Sequence, residues 1–186
     1  QVMKTVVLIG DGMGVTQISA GMYMNGNTLN LERCKVIGLH KPSASNNLVT
    51  DSAAGATAFA TGKKTKNGMV SQAMKDSADY KTFIEYAEEN NKATGILATS
   101  TVTHATPACF YAHFPRRYNA NGPISAQFMK SGVDVLIGGG RHYFENRQDG
   151  RNLLTELEAD NYTVLDTMTE SFDTKNIDKL VYLYSP

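Results

Sequence analysis

Residues 50–62 read T-D-S-A-A-G-A-T-A-F-A-T-G, an Asp-Ser pair followed by small residues. Alanine favours helix, and aspartate and serine favour helix N-termini, so a helix is predicted with Asp51 and Ser52 at its start. The unpaired N–H groups and the positive dipole end of such a helix suit an anion such as phosphate. Two interpretations stay open: Ser52 is a nucleophile, or the pair only caps a helix whose alanines pack tightly against a sheet.

A second candidate, Asp11, lies in G-D-G-M-G directly after the apolar run of residues 5–9. A strand over residues 5–9, a glycine-rich turn and a helix over residues 16–24 predict the start of a parallel α/β sheet. Asp11 would then lie at the carboxyl end of a strand, where such sheets bind ligands. The glycine spacing is not that of a dinucleotide fingerprint, and an acid suits a metal. Asp11 could also simply cap the following helix.

His104 and Thr106 occupy a third such position. A strand is predicted over residues 93–99 and a helix over residues 107–113, because Pro107 is tolerated in a first helical turn. His104 and Thr106 would then lie on a strand-to-helix connection, as metal ligands or, for His104, as a residue that only packs or hydrogen bonds. Arg117 follows that helix and is either an exposed charge or a bidentate clamp for an oxyanion.

The elements around these residues alternate between strands and helices. Further strands are predicted over residues 36–39, 133–137, 162–165 and 179–184, and further helices over residues 80–91, 124–131 and 153–160. The alternation predicts an α/β fold, three-layer αβα with a mostly parallel central sheet, which we expect to be incomplete at the C-terminus. No repeat, low-complexity tract or linker divides the sequence, so residues 1–186 are predicted to be one domain.

Composition excludes several classes of function. Eighteen Lys and Arg residues balance eighteen Asp and Glu residues, so no net charge attracts nucleic acid or an acidic membrane. The apolar runs are far shorter than the roughly 20 residues that span a bilayer, so neither nucleic acid nor a membrane is an expected partner. Cys34 and Cys109 are too few for a disulfide scaffold and are expected to be free buried thiols in preference to a bridge.

Together the candidate residues predict an oxygen-rich metal pocket with an anion clamp. A metal beside Ser52 would lower the pKa of its hydroxyl and so replace the base of a Ser-His-Asp triad. The serine lies in T-D-S-A-A and not in G-x-S-x-G, which weakens the interpretation as a triad hydrolase. Phosphoryl transfer through a phosphoserine is the natural inference.

Four blocks of the sequence resemble the alkaline phosphatase family, in the order in which the family has them. They are V-L-I-G-D-G-M-G at 7–14, V-T-D-S-A-A-G-A-T-A at 49–58, H-A-T-P-A at 104–108 with His113, and D-V-L-I-G-G-G-R at 134–141. The second block is highly specific, and the match covers most of the chain. The resemblance implies a phosphomonoesterase that uses Zn²⁺ and Mg²⁺ and acts on small phosphomonoesters, releasing inorganic phosphate.

The resemblance also implies roles for individual residues. Ser52 would be the phosphorylated nucleophile, Asp51 a ligand of the adjacent zinc, and Asp11 a carboxylate shared between that zinc and Mg²⁺. Thr106 would bind Mg²⁺. Arg117 would clamp the phosphate, with Arg116 as the alternative if the register slips by one. His104 stands where part of the family has aspartate, so the metal beside it could be zinc in place of Mg²⁺.

The later zinc ligands of the family have no counterpart in these 186 residues. An Asp-x-x-x-His pair and an Asp-His dipeptide are both absent from the sequence. The chain is therefore expected to be the N-terminal part of such an enzyme, inactive or weakly active alone.

By the same resemblance, the full-length protein is expected to be a periplasmic or extracellular homodimer, although this sequence shows no signal peptide. A related metal-dependent phosphodiesterase or sulfatase, or a noncatalytic phosphate-binding fragment, are the alternatives.

Overall fold

The computed structural model describes residues 4–167 and 175–184. The chain divides into two compact units, Gln1–Lys41 and Pro42–Pro186. The N-terminal unit contains helix α1 (Val15–Met24) and a short 3₁₀ helix, Asn30–Arg33. The helix predicted over residues 16–24 is therefore confirmed, while the prediction of one domain stays a prediction.

Two strands predicted in the N-terminal unit are wrong. Residues 4–41 contain no strand, so neither residues 5–9 nor residues 36–39 form one. Their apolar side chains are largely exposed, with Val6 at 80%, Leu8 at 91% and Ile37 at 89%. β-Branched composition favours an extended backbone, but a strand also requires a neighbour that pairs with its N–H and C=O groups. Composition alone therefore overestimated the strand content of this unit.

The C-terminal unit contains a four-stranded sheet with the order β1-β2-β4-β3. Its strands are β1 (Gly95–Thr101), β2 (Val135–Gly139), β3 (Thr163–Leu165) and β4 (Leu180–Tyr184). All three pairings are parallel, and Leu136 of β2 lies opposite Ile96 of β1 and Val181 of β4. Parallel strands need crossover connections, which helices supply. The α/β fold with a parallel sheet is confirmed, as are the four strands predicted in this unit.

Six helices accompany the sheet among the described residues. They are α2 (Ser52–Thr61), α3 (Phe83–Glu89), α4 (Ala105–Ala108), α5 (Asn121–Phe128), α6 (His142–Glu145) and α7 (Leu153–Ala159). The helix predicted over residues 107–113 is corrected: α4 starts earlier and ends at Ala108, after which i→i+3 hydrogen bonds tighten the chain into turns. α5 likewise starts earlier than predicted, with Pro123 in its first turn. No helix in the described part of the chain is long and apolar enough to cross a bilayer.

The core of the C-terminal unit is centred on Phe128, whose side chain is fully buried. Its ring makes edge-on contacts with three other rings, at centroid distances of 5.7 Å to Tyr111, 6.3 Å to Phe144 and 6.1 Å to Tyr162. Such arrangements match the positive edge of one ring to the negative face of another. The cluster joins α5, α6 and the segment that follows α4 and leads to Arg117.

Candidate active site

Asp51 is the N-cap residue of α2, and Ser52 is the first residue of that helix. Asp51 Oδ1 accepts a hydrogen bond from the Ala54 N–H at 2.9 Å, which satisfies one of the donors that a helix start leaves unpaired. The predicted helix with Asp51 and Ser52 at its start is thus confirmed. Ser52 is half-buried there, and its role as nucleophile stays a prediction.

The second carboxylate oxygen of Asp51 holds a turn that lies outside α2. Asp51 Oδ2 accepts a hydrogen bond from the Gly68 N–H at 2.9 Å. Asn67 strengthens the contact, because its Oδ1 accepts from the Asp51 N–H at 3.0 Å and its Nδ2 donates to the Val49 carbonyl at 2.9 Å. Gly68 has a φ of +86°, a conformation that favours glycine. The Asn67–Gly68 turn therefore fixes the chain that enters α2.

The same turn positions Arg117. The Gly68 carbonyl accepts a hydrogen bond from the Arg117 N–H at 2.8 Å, so one residue, Gly68, links Arg117 to the Asp51 carboxylate. Arg117 is half-buried, whereas Arg116 is exposed. The guanidinium carbon of Arg117 lies 5.1 Å from the centre of the Tyr118 ring. Burial favours Arg117 over Arg116 as the arginine of the site, and its role as a phosphate clamp stays a prediction.

His104 and Arg117 line one cavity of about 220 Å³. The other residues in its lining are Thr101, Thr103, Ala105, Tyr118, Asn119 and Asn121. His104 immediately precedes α4, and its backbone N–H donates to the Thr101 carbonyl at 3.0 Å. Thr106 lies in the first turn of α4 and is half-buried. The structure thus brings His104 and Arg117 to one cavity and joins Arg117 to the start of α2.

Asp11 lies in the N-terminal unit, in an exposed turn between residue 10 and α1. The Met13 N–H donates to the Gly10 carbonyl at 3.1 Å and closes this turn. The helix after the turn is as expected, although the strand before it is absent. The predicted role of Asp11 as a metal ligand stays a prediction.

A buried polar network connects α2 to the segment that follows α4. The Cys109 thiol donates to the Ala53 carbonyl at 3.3 Å and lies 3.5 Å from the Thr57 hydroxyl, which accepts from the Ser71 N–H at 2.9 Å. Burial raises the pKa of Cys109 to about 11, so the thiol stays protonated at neutral pH and keeps its donor. Both cysteines of the chain are free, as expected, but only Cys109 is buried, whereas Cys34 is exposed. The alanines of α2 are largely buried, and the helix contacts α4.

Asp51 is the candidate residue whose contacts show that it could bind a metal ion. Each of its carboxylate oxygens uses one lone pair for a backbone N–H, and each retains a second lone pair that a cation could use. Such bonds also fix the orientation of a ligand before a metal binds. No group of three or more His, Cys, Asp or Glu side chains in residues 4–167 and 175–184 is arranged to hold a metal ion. Asp51 therefore fits as one oriented ligand, and a complete site needs further donors.

Several residues of this region were not predicted from the sequence. Asn67 and Gly68 anchor Asp51 and Arg117, and Asn119 and Asn121 line the cavity. The dipeptide N-G at 67–68 and the tetrapeptide N-A-N-G at 119–122 are typical of turns. That signal identifies the turns but not the residues that they contact.

The fold and the site together define an α/β protein in which an Asp-Ser helix start is linked to an arginine beside a histidine-lined cavity. A family model described as alkaline phosphatase matches residues 3–185. The chain therefore belongs to the alkaline phosphatase family, as the sequence blocks indicated.

Individual relatives agree with this membership. The chain is 36% identical over 196 residues to alkaline phosphatase 3 of Bacillus subtilis, covering 95% of this chain and 40% of that protein. The alkaline phosphatase of the Antarctic bacterium TAB5 is 40% identical, with a TM-score of 0.89 over 94% of this chain and 51% of that one. A histidine-to-aspartate mutant of the TAB5 enzyme, with Mg bound in its M3 site, gives a TM-score of 0.88 over 94% of this chain and 50% of that one. The chain spans about two fifths of the length of the curated relatives it matches.

Proposed function

We propose that the protein, in its complete form, hydrolyses phosphate monoesters through a phosphoserine formed on Ser52. The observation that carries the proposal is the link from the start of α2 through Gly68 to Arg117, since it ties the Asp51 carboxylate, next to Ser52, to the backbone of Arg117. Membership of the alkaline phosphatase family supports it. A half-buried serine at a helix N-terminus also has backbone donors and a favourable dipole for an anionic group.

The proposed reaction has two displacements. Ser52 Oγ forms a bond to phosphorus as the bond from phosphorus to the alkoxy oxygen of the substrate breaks, and the alcohol leaves with a proton. Water then forms a bond to phosphorus as the bond from Ser52 to phosphorus breaks, and inorganic phosphate leaves. Arg117 donates hydrogen bonds to two phosphoryl oxygens that carry charge in both transition states.

Asp51, Asp11, Thr106 and His104 are the residues that we propose hold the metals, Zn²⁺ and Mg²⁺. When bound, these cations supply positive charge that stabilises a deprotonated Ser52 and the phosphoryl oxygens. The Mg described in the M3 site of the TAB5 mutant supports a metal-dependent site in this family. His104, next to α4, is the residue whose imidazole we propose selects which metal binds beside it.

We also propose, from the family resemblance alone, that the complete protein is a homodimer located in the periplasm or outside the cell.

Replacing Ser52 with alanine tests the proposed nucleophile. The intact, metal-loaded protein is mixed with a ³²P-labelled monoester, quenched in acid and analysed for protein-bound label. We expect Ser52→Ala to abolish labelling and to lower kcat about a thousandfold or more, while metal content stays nearly unchanged. Ser19→Ala, at an exposed position in α1, is the matched control and should label normally. Undiminished turnover in Ser52→Ala would refute the assignment, and phosphate binding without turnover in the unmodified protein would favour a noncatalytic role.

A further inference from the structure

A second cavity, of about 560 Å³, adjoins the one that His104 and Arg117 line. Asn119 and Asn121 line both cavities, so the two share a wall. The second cavity, called here the α5–α6 cavity, is lined by the start of α5, by residues of α6 and by the loop after α6. A substrate whose phosphate lies beside Arg117 would therefore extend its organic group toward the α5–α6 cavity.

The volume of the α5–α6 cavity fits a small organic group. Pockets for small molecules typically measure about 300–1,000 Å³, a range that includes this cavity and excludes the smaller neighbour of about 220 Å³. The two volumes suit a phosphate group in the smaller cavity and the esterified alcohol in the larger one. The alcohol is thus the part of the substrate that the α5–α6 cavity would select.

Four of the ten residues that line the α5–α6 cavity carry amide side chains. The lining contains Asn119, Asn121, Asn146 and Gln148. Each amide has both a donor and an acceptor, which complements hydroxyl groups, since these also donate and accept. His142 and Tyr143 add two rings with centroids 5.5 Å apart and planes at 70°, which form an angled wall with apolar C–H surface. This combination suits a ring with several hydroxyl groups.

The charges in the lining do not favour a second anion. Arg147 Nε donates to Asp149 Oδ1 at 3.0 Å, and its Nη2 also pairs with that carboxylate. Its Nη1 donates to the Gly122 carbonyl at 2.8 Å and to the Ser125 hydroxyl at 2.7 Å, and only 7% of the Arg147 side chain is exposed. The guanidinium is therefore used to hold α5 to α6, and its charge is balanced by Asp149. A diphosphate or other doubly anionic substrate gains nothing from this cavity.

We propose that the α5–α6 cavity binds the neutral, polyhydroxylated alcohol of a sugar phosphate, with Asn146 and His142 as specificity-determining residues. The proposal deepens the proposed function and rests on it, because the phosphate must lie beside Arg117. Asn146 contributes an amide that hydrogen bonds to ring hydroxyls, and His142 contributes the exposed ring of the wall.

Substrate preference tests the proposal in the intact, metal-loaded protein. The ratio of kcat/KM for a hexose 6-phosphate to kcat/KM for 4-nitrophenyl phosphate is measured in the unmodified protein and in a His142→Ala, Asn146→Ala double variant. We expect the ratio to fall about tenfold, the effect of losing side-chain hydrogen bonds that the hydroxyl groups of a hexose make and a nitrophenyl ring cannot make. Asn176→Ala, at an exposed turn that the cavity does not include, should leave the ratio unchanged. An unchanged ratio in the double variant would overturn the proposal.

A binding measurement separates this proposal from the proposed function. Unphosphorylated hexose is titrated into the protein, and the ring resonances of His142 are followed by NMR, with assignment from His142→Ala. We expect a saturable shift that Asn146→Ala weakens several-fold. A missing shift would overturn the proposal even if the protein hydrolyses monoesters, and a saturable shift would support it even if Ser52→Ala had shown that the nucleophile lies elsewhere.

Discussion

Asp51 makes two structural hydrogen bonds that its substitution would remove together. Oδ1 caps α2 through the Ala54 N–H, and Oδ2 accepts from the N–H of Gly68, a buried residue, each at 2.9 Å. Asp51→Ala leaves both donors without this partner. The perturbation therefore reaches beyond the helix, because Gly68 also accepts the hydrogen bond from the Arg117 N–H.

The expected cost of Asp51→Ala is the sum of two effects. Loss of an N-cap side chain costs about 1 kcal/mol, and leaving a buried backbone donor unsatisfied costs about 1–3 kcal/mol. Together these lower the free energy of unfolding by about 2–4 kcal/mol. Asp51→Asn keeps one acceptor oxygen for one of the two N–H groups, so it should cost about half as much.

Denaturant unfolding of the metal-free protein, followed by circular dichroism, measures this cost without a contribution from bound cations. Asn152→Ala, at the N-cap of α7, is the matched control, since the Asn152 side chain accepts from the Leu154 and Thr155 N–H groups of the helix that it caps, at 3.0 and 3.2 Å. We expect that variant to lose about 1 kcal/mol. If Asp51→Ala costs no more than Asn152→Ala, the contact with Gly68 is dispensable and the reasoning fails.

Two further predictions concern the framework. Burial alone would raise the pKa of Glu85, but hydrogen bonds from the Thr82 N–H and the His113 ring outweigh it, so the pKa lies below the ordinary 4.5. Because the folded-state pKa is depressed, the stabilisation is present above about pH 4.5 and is lost as pH falls through the folded value; Glu85→Gln should flatten the loss of stability below about pH 4.5, and parallel curves for the two proteins in denaturant titrations would contradict this. A Cβ on residue 138 would lie 2.6 Å from Val102 Cγ1 and 3.1 Å from the Ala98 carbonyl. Gly138→Ala should therefore lower the free energy of unfolding by about 1–3 kcal/mol in the same titrations. Adding Val102→Ala should recover part of that loss, because it removes the nearer contact. Wild-type stability in Gly138→Ala would show that the sheet yields at this position.

The features that could be predicted from the sequence are those that depend on residues close together in the chain. The start of α2 follows from an Asp-Ser pair before alanines, and β2 and β4 follow from short apolar runs bounded by turn residues. The strands predicted over residues 5–9 and 36–39 had the same kind of composition, yet the structure does not pair them. Pairing partners lie far apart in the chain, so a local pattern cannot report whether one is present.

The sheet order shows the same limit. β4 lies between β2 and β3 although it follows both in the sequence, and nothing in its residues indicates a central position. The candidate site likewise contains residues that the sequence predicts and a contact that it does not. Asp51, Ser52 and Arg117 were predicted by residue type and family resemblance, whereas the Gly68 peptide that joins them was not. A glycine in a polar loop predicts a turn, but its hydrogen-bonding partners become known only in the folded chain.

The link through Gly68 changes how mutations at Asp51 should be interpreted. The carboxylate caps α2, holds the turn that fixes Arg117, and is also the ligand that we propose for a cation beside Ser52. Loss of activity in Asp51→Ala would therefore follow from a displaced arginine as readily as from a lost metal ligand. The two causes separate if phosphate affinity is measured without metal, because only displacement of Arg117 weakens binding there. An effect seen solely in the metal-loaded protein would assign the loss to the metal.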